Sequence, residues 1–326
     1  MKDIVILGTG SAAPDNVVTN FDLEKIMNTS NEWIVQRTGI KSRHLVRPGE
    51  KFSDFAVPAA KSALASAGVE APELDLIICA TLTPDHRVPT GSWTVQALLG
   101  AKNATGMDVG AACSGFVYGL SIAEKYLRCD SDMHILIIGG EIASHHVDWQ
   151  DRTTAVLFGD AVGAVVVGTR ENHEAKLKAV ATGSDGSLGH LLYIEGLGSA
   201  TPVTADFNIH DTYVKMQGRE IFKHAIRNMV EVSNRVLKKA GYTLDQVTKV
   251  IPHQANMRII EMLAKQLKKP MDKVFVNIDR YGNSWAGTIP VALDEAVHSD
   301  FLEPGDVVLM TVFGGGLTWA AAVIEW

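Results

Sequence analysis

The sequence has few cysteines and no long apolar run, and these absences exclude several classes of protein. Only three cysteines occur among 326 residues, Cys79, Cys113 and Cys129, with no CxxC pair and no Cys/His cluster at zinc-ligand spacing. This odd, scattered set disfavours a disulfide framework and predicts a reducing compartment, the cytoplasm, and no metal site. The longest apolar runs, such as residues 161–168, are too short to span a bilayer, and the start of the chain lacks the apolar core of a signal peptide. We therefore expect no membrane association.

Positive charge is also scarce. Lysine and arginine number 30 against 37 aspartates and glutamates, which gives a net charge of −7. Without a global positive field to attract phosphates, nucleic-acid binding is not expected, although local basic patches can still bind acidic partners. A composition of 46% hydrophobic and 21% charged residues is typical of a packed soluble protein, long enough for two domain-sized units.

Short β-rich apolar runs alternate with helical stretches along the whole chain. The predicted strands are Ile4–Leu7, Leu76–Ala80, Thr105–Val109, Ile135–Ile138, Ala164–Val167, Val247–Ile251, Val274–Asn277 and Val307–Val312. The predicted helices are Ala56–Ala67, Trp93–Leu99, Gly115–Leu127, Arg219–Ala240, Asn256–Leu267 and Ile289–Ser299. Continuously apolar strands separated by helices predict an α/β fold with sheets covered on both faces.

The element order in the first half recurs in the second. Two strands and a helix within residues 76–109 lead to AACSG at a helix start, and the next strand ends in two glycines. Residues 247–277 similarly lead to YGNSWAG, and the next strand ends in three glycines. On the pattern alone, a duplicated unit and ordinary α/β alternation both remain open. Residues 183–213 are irregular and are the best candidate for an excursion or lid between the halves.

Cys113 is a candidate nucleophile because it lies in AACSG, directly after a strand and at the start of a helix. Helix N-termini favour anions and commonly lower a cysteine pKa below its usual value of about 8.5, so we expect an activated thiolate. The small neighbouring residues leave room for a substrate. The alternative for an isolated cysteine is a buried structural role, which suits Cys79 and Cys129.

His253 and Asn283 occupy two further strand-to-helix turns, in PHQAN and YGNSWAG. Such turns often present active-site side chains, although a single histidine is usually incidental and a single asparagine is usually a helix cap. The glycine-rich end of the last predicted strand, FGGGLTW, contains Gly315, whose backbone N–H could donate to an oxyanion. Each of these motifs, taken alone, is only a weak indicator of an active site.

Together these segments resemble the β-ketoacyl-acyl carrier protein synthase III family, the initiating condensing enzymes of type II fatty acid synthesis. The motifs NTSNEWIVQRTGIKSRH, AACSGF, DRTTAVLFGDAVGA, MQGREIF, PHQAN, YGNS and FGGGLTW occur in the family's order over essentially the whole chain. The resemblance implies an α/β, thiolase-like duplicated five-layered αβαβα fold. It places the nucleophile in an N-terminal half, residues 1–170, and the His and Asn in a C-terminal half, residues 171–326. It also implies a homodimer.

The resemblance implies a two-step reaction. Cys113 takes an acyl group from acyl-CoA, and malonyl-acyl carrier protein then loses CO₂ to give an enolate that attacks the acyl-enzyme. His253 and Asn283 would donate hydrogen bonds to the developing enolate oxygen, and the backbone N–H groups of Cys113 and Gly315 would bind the oxyanion of acyl transfer. The CoA thioester is a substrate, and no tightly bound cofactor is implied.

The resemblance also assigns binding residues. Trp33, Arg37 and Arg152 would hold the adenine and phosphates of CoA, because indole stacks on a base and guanidinium pairs with phosphate. Asn256 would contact the pantetheine arm. The docking site for the acidic acyl carrier protein would consist of Lys223, Arg258 and Lys265. A half-buried core tryptophan and ordinary solvated helix faces are the alternatives.

The sequence departs from the family at the acyl pocket. Val88 stands where enzymes that use acetyl-CoA often have a Phe that closes the acyl channel, so its small size predicts room for a longer or branched primer. Trp285 replaces a usually small residue and either fills acyl space or packs outward behind the loop. Ala161 and Val162 replace a usual Gly-Ala pair, a change that could affect packing alone.

Three rival functions involve similar substrates or the same scaffold. A condensing or acyl-transfer enzyme of secondary metabolism, such as a quinolone or polyketide pathway enzyme, would share the scaffold and the three catalytic residues. A non-catalytic acyl-CoA or carrier-protein binding subunit would show no acyl adduct on Cys113. A degradative thiolase is disfavoured, because it needs a second cysteine in the C-terminal glycine-rich segment and none follows Cys129.

Overall fold

The computed structural model describes residues 3–204 and 206–326. Its strands are β1 (Asp3–Ala12), β2 (Val17–Thr19), β3 (Ser42–His44), β4 (Leu76–Ala80), β5 (Thr105–Asp108), β6 (Ile135–Glu141), β7 (Ala161–Arg170), β8 (Lys176–Ser184), β9 (Leu192–Tyr193), β10 (Lys215–Met216), β11 (Lys249–Pro252), β12 (Val307–Gly314) and β13 (Thr318–Glu325). Its α-helices are α1 (Asn20–Leu23), α2 (Asn31–Thr38), α3 (Phe52–Ala67), α4 (Gly91–Leu99), α5 (Gly115–Cys129), α6 (Gly218–Ala240), α7 (Met257–Gln266), α8 (Ile278–Tyr281) and α9 (Thr288–Val297).

Nine strands form one hydrogen-bonded series, which consists of two sets with matching strand order. The first set runs β5-β4-β6-β7-β1, in which β4 pairs parallel with β5 and β6, and β7 pairs antiparallel with β6 and β1. The second set runs β11-β12-β13-β8, with β11 parallel to β12 and β13 antiparallel to β12 and β8. A parallel bridge from Val250 to Val274 takes the place of β5. The two sets meet at Val5 and Lys176.

Helices cover both sets of strands and also lie between them. Helix α3 packs on β1 and β7 and α4 packs on β4 and β5, whereas α6 packs on β8, β12 and β13. Helix α5 contacts β4 and β6 of the first set and β8 and β13 of the second, and α9 contacts β7 and β11. The central strands are apolar on both faces because both faces are covered, as in the fully buried β4 and β6. This helix–sheet–helix–sheet–helix order confirms the predicted five-layered α/β fold.

Some predicted elements differ from the structure. Strands β8 and β13 were not predicted, because β8 mixes lysines with small residues and β13 is rich in alanine, which has low β-propensity. The predicted strand Val274–Asn277 is reduced to the bridge at Val274. The predicted excursion at 183–213 contains 3₁₀ turns and β9, between β8 and α6.

The chain passes from the first set of strands to the second between β7 and β8. Strand β7 ends at Arg170, and β8 begins at Lys176, where it pairs with both β1 and β13. The division into halves at residues 170 and 171 stays a prediction.

Candidate active site

One cavity of about 740 Å³ brings the predicted catalytic residues together. Cys113, His253 and Asn283 all contribute to its lining, as does Gly315. Cys113 follows β5 and His253 follows β11, whereas Asn283 lies between α8 and α9, and each residue is more than nine-tenths buried. A cysteine, an imidazole and a carboxamide that are far apart in sequence therefore face one cavity.

Cys113 lies in a 3₁₀ turn, Ala112–Ser114, that leads directly into α5. Burial raises the pKa of its thiol to about 12, the nearby Glu141 carboxylate adds to the increase, and the backbone N–H groups of Cys113 and Gly315 oppose it. The expectation of a pKa lowered by the helix N-terminus is wrong, because the loss of hydration outweighs these donors. At neutral pH the side chain of Cys113 is therefore a neutral thiol.

The end of β12 approaches the nucleophile closely. A Cβ atom added to Gly314 would lie 2.9 Å from the backbone nitrogen of Cys113, so only glycine fits at this position. This approach brings the next residue, Gly315, to the thiol, where its N–H acts beside that of Cys113. The two N–H groups predicted to bind an oxyanion thus surround the same sulfur.

His253 follows the end of β11, and its backbone N–H donates to the carbonyl of Thr311 (2.9 Å). Its Nδ1 atom lies 2.6 Å from the hydroxyl of Thr288, the first residue of α9. Burial lowers the pKa of His253 to about 3, so the ring is neutral at physiological pH. A neutral imidazole carries one N–H, and the partner at Nδ1 decides which nitrogen holds it.

Asn283 is held in a fixed orientation by its own turn. Its Oδ1 accepts the backbone N–H of Trp285 (2.9 Å), and its backbone N–H donates to the carbonyl of Leu157 (2.8 Å). Because the amide oxygen is engaged, the Nδ2 group is the one available to donate into the cavity.

Glu141, at the end of β6, was missed by sequence reasoning. Its carboxyl group accepts hydrogen bonds from the hydroxyls of Thr81 (3.1 Å) and Thr83 (2.8 Å) and from the N–H of Leu82 (3.0 Å). Burial raises the pKa of Glu141 to about 8 despite these donors. The carboxyl group ties the Leu82 loop, which lines the cavity, to the end of β6.

The residues assigned to CoA form a cationic cluster around Trp33 of α2. The guanidinium carbon of Arg152 lies 5.1 Å from the centre of the Trp33 ring, and that of Arg37 lies 5.8 Å from it. Arg37 also lines the cavity. Asn256 lines the cavity as well, but it caps α7 by accepting the N–H of Arg258 and donates to the carbonyl of Arg37 (3.2 Å). Because Arg37 is exposed and Asn256 is half-buried, these two lining residues mark the mouth of the cavity.

Two of the three predicted docking residues lie at this mouth. Lys223 and Arg258 line the cavity, and sequence reasoning missed a third cation beside them, Arg219. Lys265 is exposed in the last turn of α7, about 10 Å along the helix axis from Arg258. Lys265 therefore lies away from the mouth.

The two predicted acyl-pocket residues differ in burial, because one lines the cavity and the other lies at the surface. Trp285 is 5% exposed and lines the cavity, which shows that the indole points inward. Val88 is 86% exposed and does not line the cavity. That Val88 leaves room for a longer or branched primer stays a prediction.

Within residues 3–204 and 206–326, no group of three or more His, Cys, Asp or Glu side chains is placed to hold a metal ion. Over the same residues, every helix is too short or too polar to cross a bilayer.

Comparisons with known proteins show which family the chain resembles along its length. Residues 107–186 match the family model described as 3-oxoacyl-[acyl-carrier-protein (ACP)] synthase III, and residues 237–326 match its C-terminal model. A β-ketoacyl-[acyl-carrier-protein] synthase III from Roseiflexus castenholzii is 48% identical over 98% of this chain and 97% of its own. The crystal structure of 3-oxoacyl-[acyl-carrier-protein] synthase III from Aquifex aeolicus VF5 is also 48% identical, with a TM-score of 0.91 over 99% of this chain and 100% of that one. A priming β-ketosynthase from the R1128 polyketide biosynthetic pathway is 33% identical, with a TM-score of 0.92 over 99% and 96% of the chains.

Proposed function

The chain belongs to the β-ketoacyl-[acyl-carrier-protein] synthase III family, and from this premise we propose that it joins an acyl-CoA primer to malonyl-acyl carrier protein through an acyl-Cys113 intermediate. It is an acyltransferase of the condensing type that initiates fatty acid synthesis. The observation that carries the residue assignment is the shared cavity of Cys113, His253 and Asn283. Product mass from acetyl-CoA and malonyl-acyl carrier protein tests it, with Cys113→Ala as the inactive control.

In the first half-reaction, the sulfur of Cys113 attacks the thioester carbonyl of the acyl-CoA. The new C–S bond replaces the bond to CoA, and the thiol proton ends on the departing CoA sulfur. Negative charge develops on the carbonyl oxygen, where the N–H groups of Cys113 and Gly315 are placed to donate. Such fixed donors act most strongly on charge that appears only in the transition state.

In the second half-reaction, the malonyl thioester loses CO₂ and leaves an enolate. The Nε2–H of His253 and the Nδ2–H of Asn283 donate to its oxygen. Burial lowers the pKa of His253 and keeps the ring neutral, so the ring carries its proton on Nε2 when the Thr288 hydroxyl donates to Nδ1. The backbone N–H of Trp285 holds the Asn283 amide by its oxygen and leaves the Nδ2 group to donate. The enolate carbon then attacks the acyl carbonyl, the Cys113 thiolate leaves, and one proton restores the thiol.

The mouth of the cavity supplies the binding sites in this proposal. Trp33, Arg37 and Arg152 hold CoA, and Asn256 contacts the pantetheine arm. The cationic rim that receives the acidic carrier protein consists of Arg219, Lys223 and Arg258. Charge reversal at Arg258 is expected to raise KM for malonyl-acyl carrier protein more than the same change at Lys265.

The functional unit in this proposal is a cytoplasmic homodimer without a tightly bound cofactor. Strand β5 lies at one edge of the sheet, and Trp93 and Leu98 on the neighbouring α4 are 48% and 55% exposed. Exposed edge strands are suited to pairing with another chain. Val88 is exposed and lies outside the cavity of its own chain, so in such a dimer it could contribute only to the acyl pocket of the second copy. Light scattering measures the oligomeric state directly.

The rival functions are less well supported. The polyketide priming enzyme shares the scaffold at 33% identity, whereas relatives named for β-ketoacyl-acyl carrier protein synthesis reach 48%. Replacing malonyl-acyl carrier protein by malonyl-CoA, or the primer by an aromatic acyl-CoA, separates these substrates. A non-catalytic binding subunit would leave the Cys113 peptide unmodified after incubation with acyl-CoA.

A further inference from the structure

Two cavities lie on opposite sides of one aromatic pair. The catalytic cavity is lined by Trp285, and a second cavity of about 500 Å³ is lined by His146. The Trp285 and His146 rings stack with their centres 6.3 Å apart. Leu82 and Ile194 contribute to the walls of both cavities, so the two spaces adjoin.

The indole is fixed from three directions. Phe158 meets it edge-on, with ring centres 5.9 Å apart, and His146 is itself held by an Nδ1 contact with the carbonyl of Thr212 (2.8 Å). The backbone N–H of Trp285 donates to Asn283, so the turn that orients the catalytic amide also positions the indole. Burial lowers the pKa of His146, which keeps this wall uncharged.

In the proposed function, a CoA thioester enters past the exposed cations of the mouth, with its carbonyl at Cys113. The acyl chain must then occupy the apolar remainder, which includes Leu157, Phe158 and Trp285. We propose that the Trp285–His146 pair is a partition that ends this acyl compartment, so the enzyme selects short-chain primers. This inference rests on the proposed function.

Removing the indole joins the acyl compartment to the second cavity. Trp285→Ala keeps the backbone N–H that holds Asn283, and the residue's φ of +50° strains alanine no more than tryptophan. The variant is expected to raise the ratio of kcat/KM for octanoyl-CoA to that for acetyl-CoA at least roughly tenfold, because additional methylenes become buried. Trp285→Phe is expected to cause a smaller rise.

The test measures product mass and kcat/KM for acetyl-, butanoyl-, hexanoyl- and octanoyl-CoA with malonyl-acyl carrier protein. Phe275→Ala, which removes an aromatic side chain packed on Phe301 away from the partition, controls for general destabilisation. If Trp285→Ala fails to fold, His146→Ala opens the partition from the other side and decides the question. An unchanged chain-length profile in folded variants overturns the partition. Absence of product from the wild-type enzyme with every primer instead overturns the proposed function.

Discussion

The Nδ1 atom of His253 lies 2.6 Å from the hydroxyl oxygen of Thr288, which lies 3.2 Å from the carbonyl oxygen of Trp285. The hydroxyl has one proton to donate. When it donates to Nδ1, the neutral imidazole carries its proton on Nε2 and can donate to the enolate. When it donates to Trp285, Nε2 becomes an acceptor. In the proposed mechanism, the direction of the Thr288 hydroxyl therefore decides whether His253 can donate from Nε2.

Thr288→Val should slow malonyl decarboxylation roughly tenfold, because a methyl group cannot donate to Nδ1 and one hydrogen bond is lost. Thr288→Ser keeps the hydroxyl and should recover most of the rate. Decarboxylation and acylation are measured separately, with labelled malonyl thioester and by mass of the Cys113 peptide. Equal losses in the valine and serine variants would show that only packing matters.

Alkylation of Cys113 should accelerate with pH well beyond neutrality. Since the pKa of the buried thiol is raised to about 12, the thiolate fraction keeps increasing at all moderately alkaline pH values. Iodoacetamide modification is followed in a Cys129→Ser background, because Cys129 is exposed and Cys79 is fully buried. An alkylation rate that levels off near neutral pH would show that Cys113 has the lowered pKa predicted from the sequence.

Glu141→Gln should stabilise the protein more as the pH rises. The folded-state pKa of Glu141 is raised to about 8 from 4.5, so the folded state binds more protons between these values and wild-type stability falls as pH increases through this window. Glutamine does not titrate. The free energy of unfolding of Glu141→Gln minus that of the wild type should therefore grow by at most about 1.4 kcal/mol per pH unit, and it should stop growing above the folded-state pKa. Urea unfolding across this window measures it. A pH-independent difference would contradict a buried titrating carboxyl group.

The motifs around Cys113, His253 and Asn283 could be located in the sequence because they occur in the family's order, whereas each motif taken alone gives only a weak signal. The sequence could not place Val88 or Trp285, since side-chain direction in these loops depends on tertiary packing. Nor could it reveal that burial dominates the Cys113 pKa. Thr288 and Glu141 gave no local signal, because their importance comes from partners distant in the chain.

Separate assays of the two half-reactions in His253→Ala test the assignment of the catalytic residues most directly. We expect acyl transfer to Cys113 to remain detectable by mass, while decarboxylation of the malonyl thioester falls by about two orders of magnitude or more. Complete loss of acylation with normal decarboxylation would contradict the assignment.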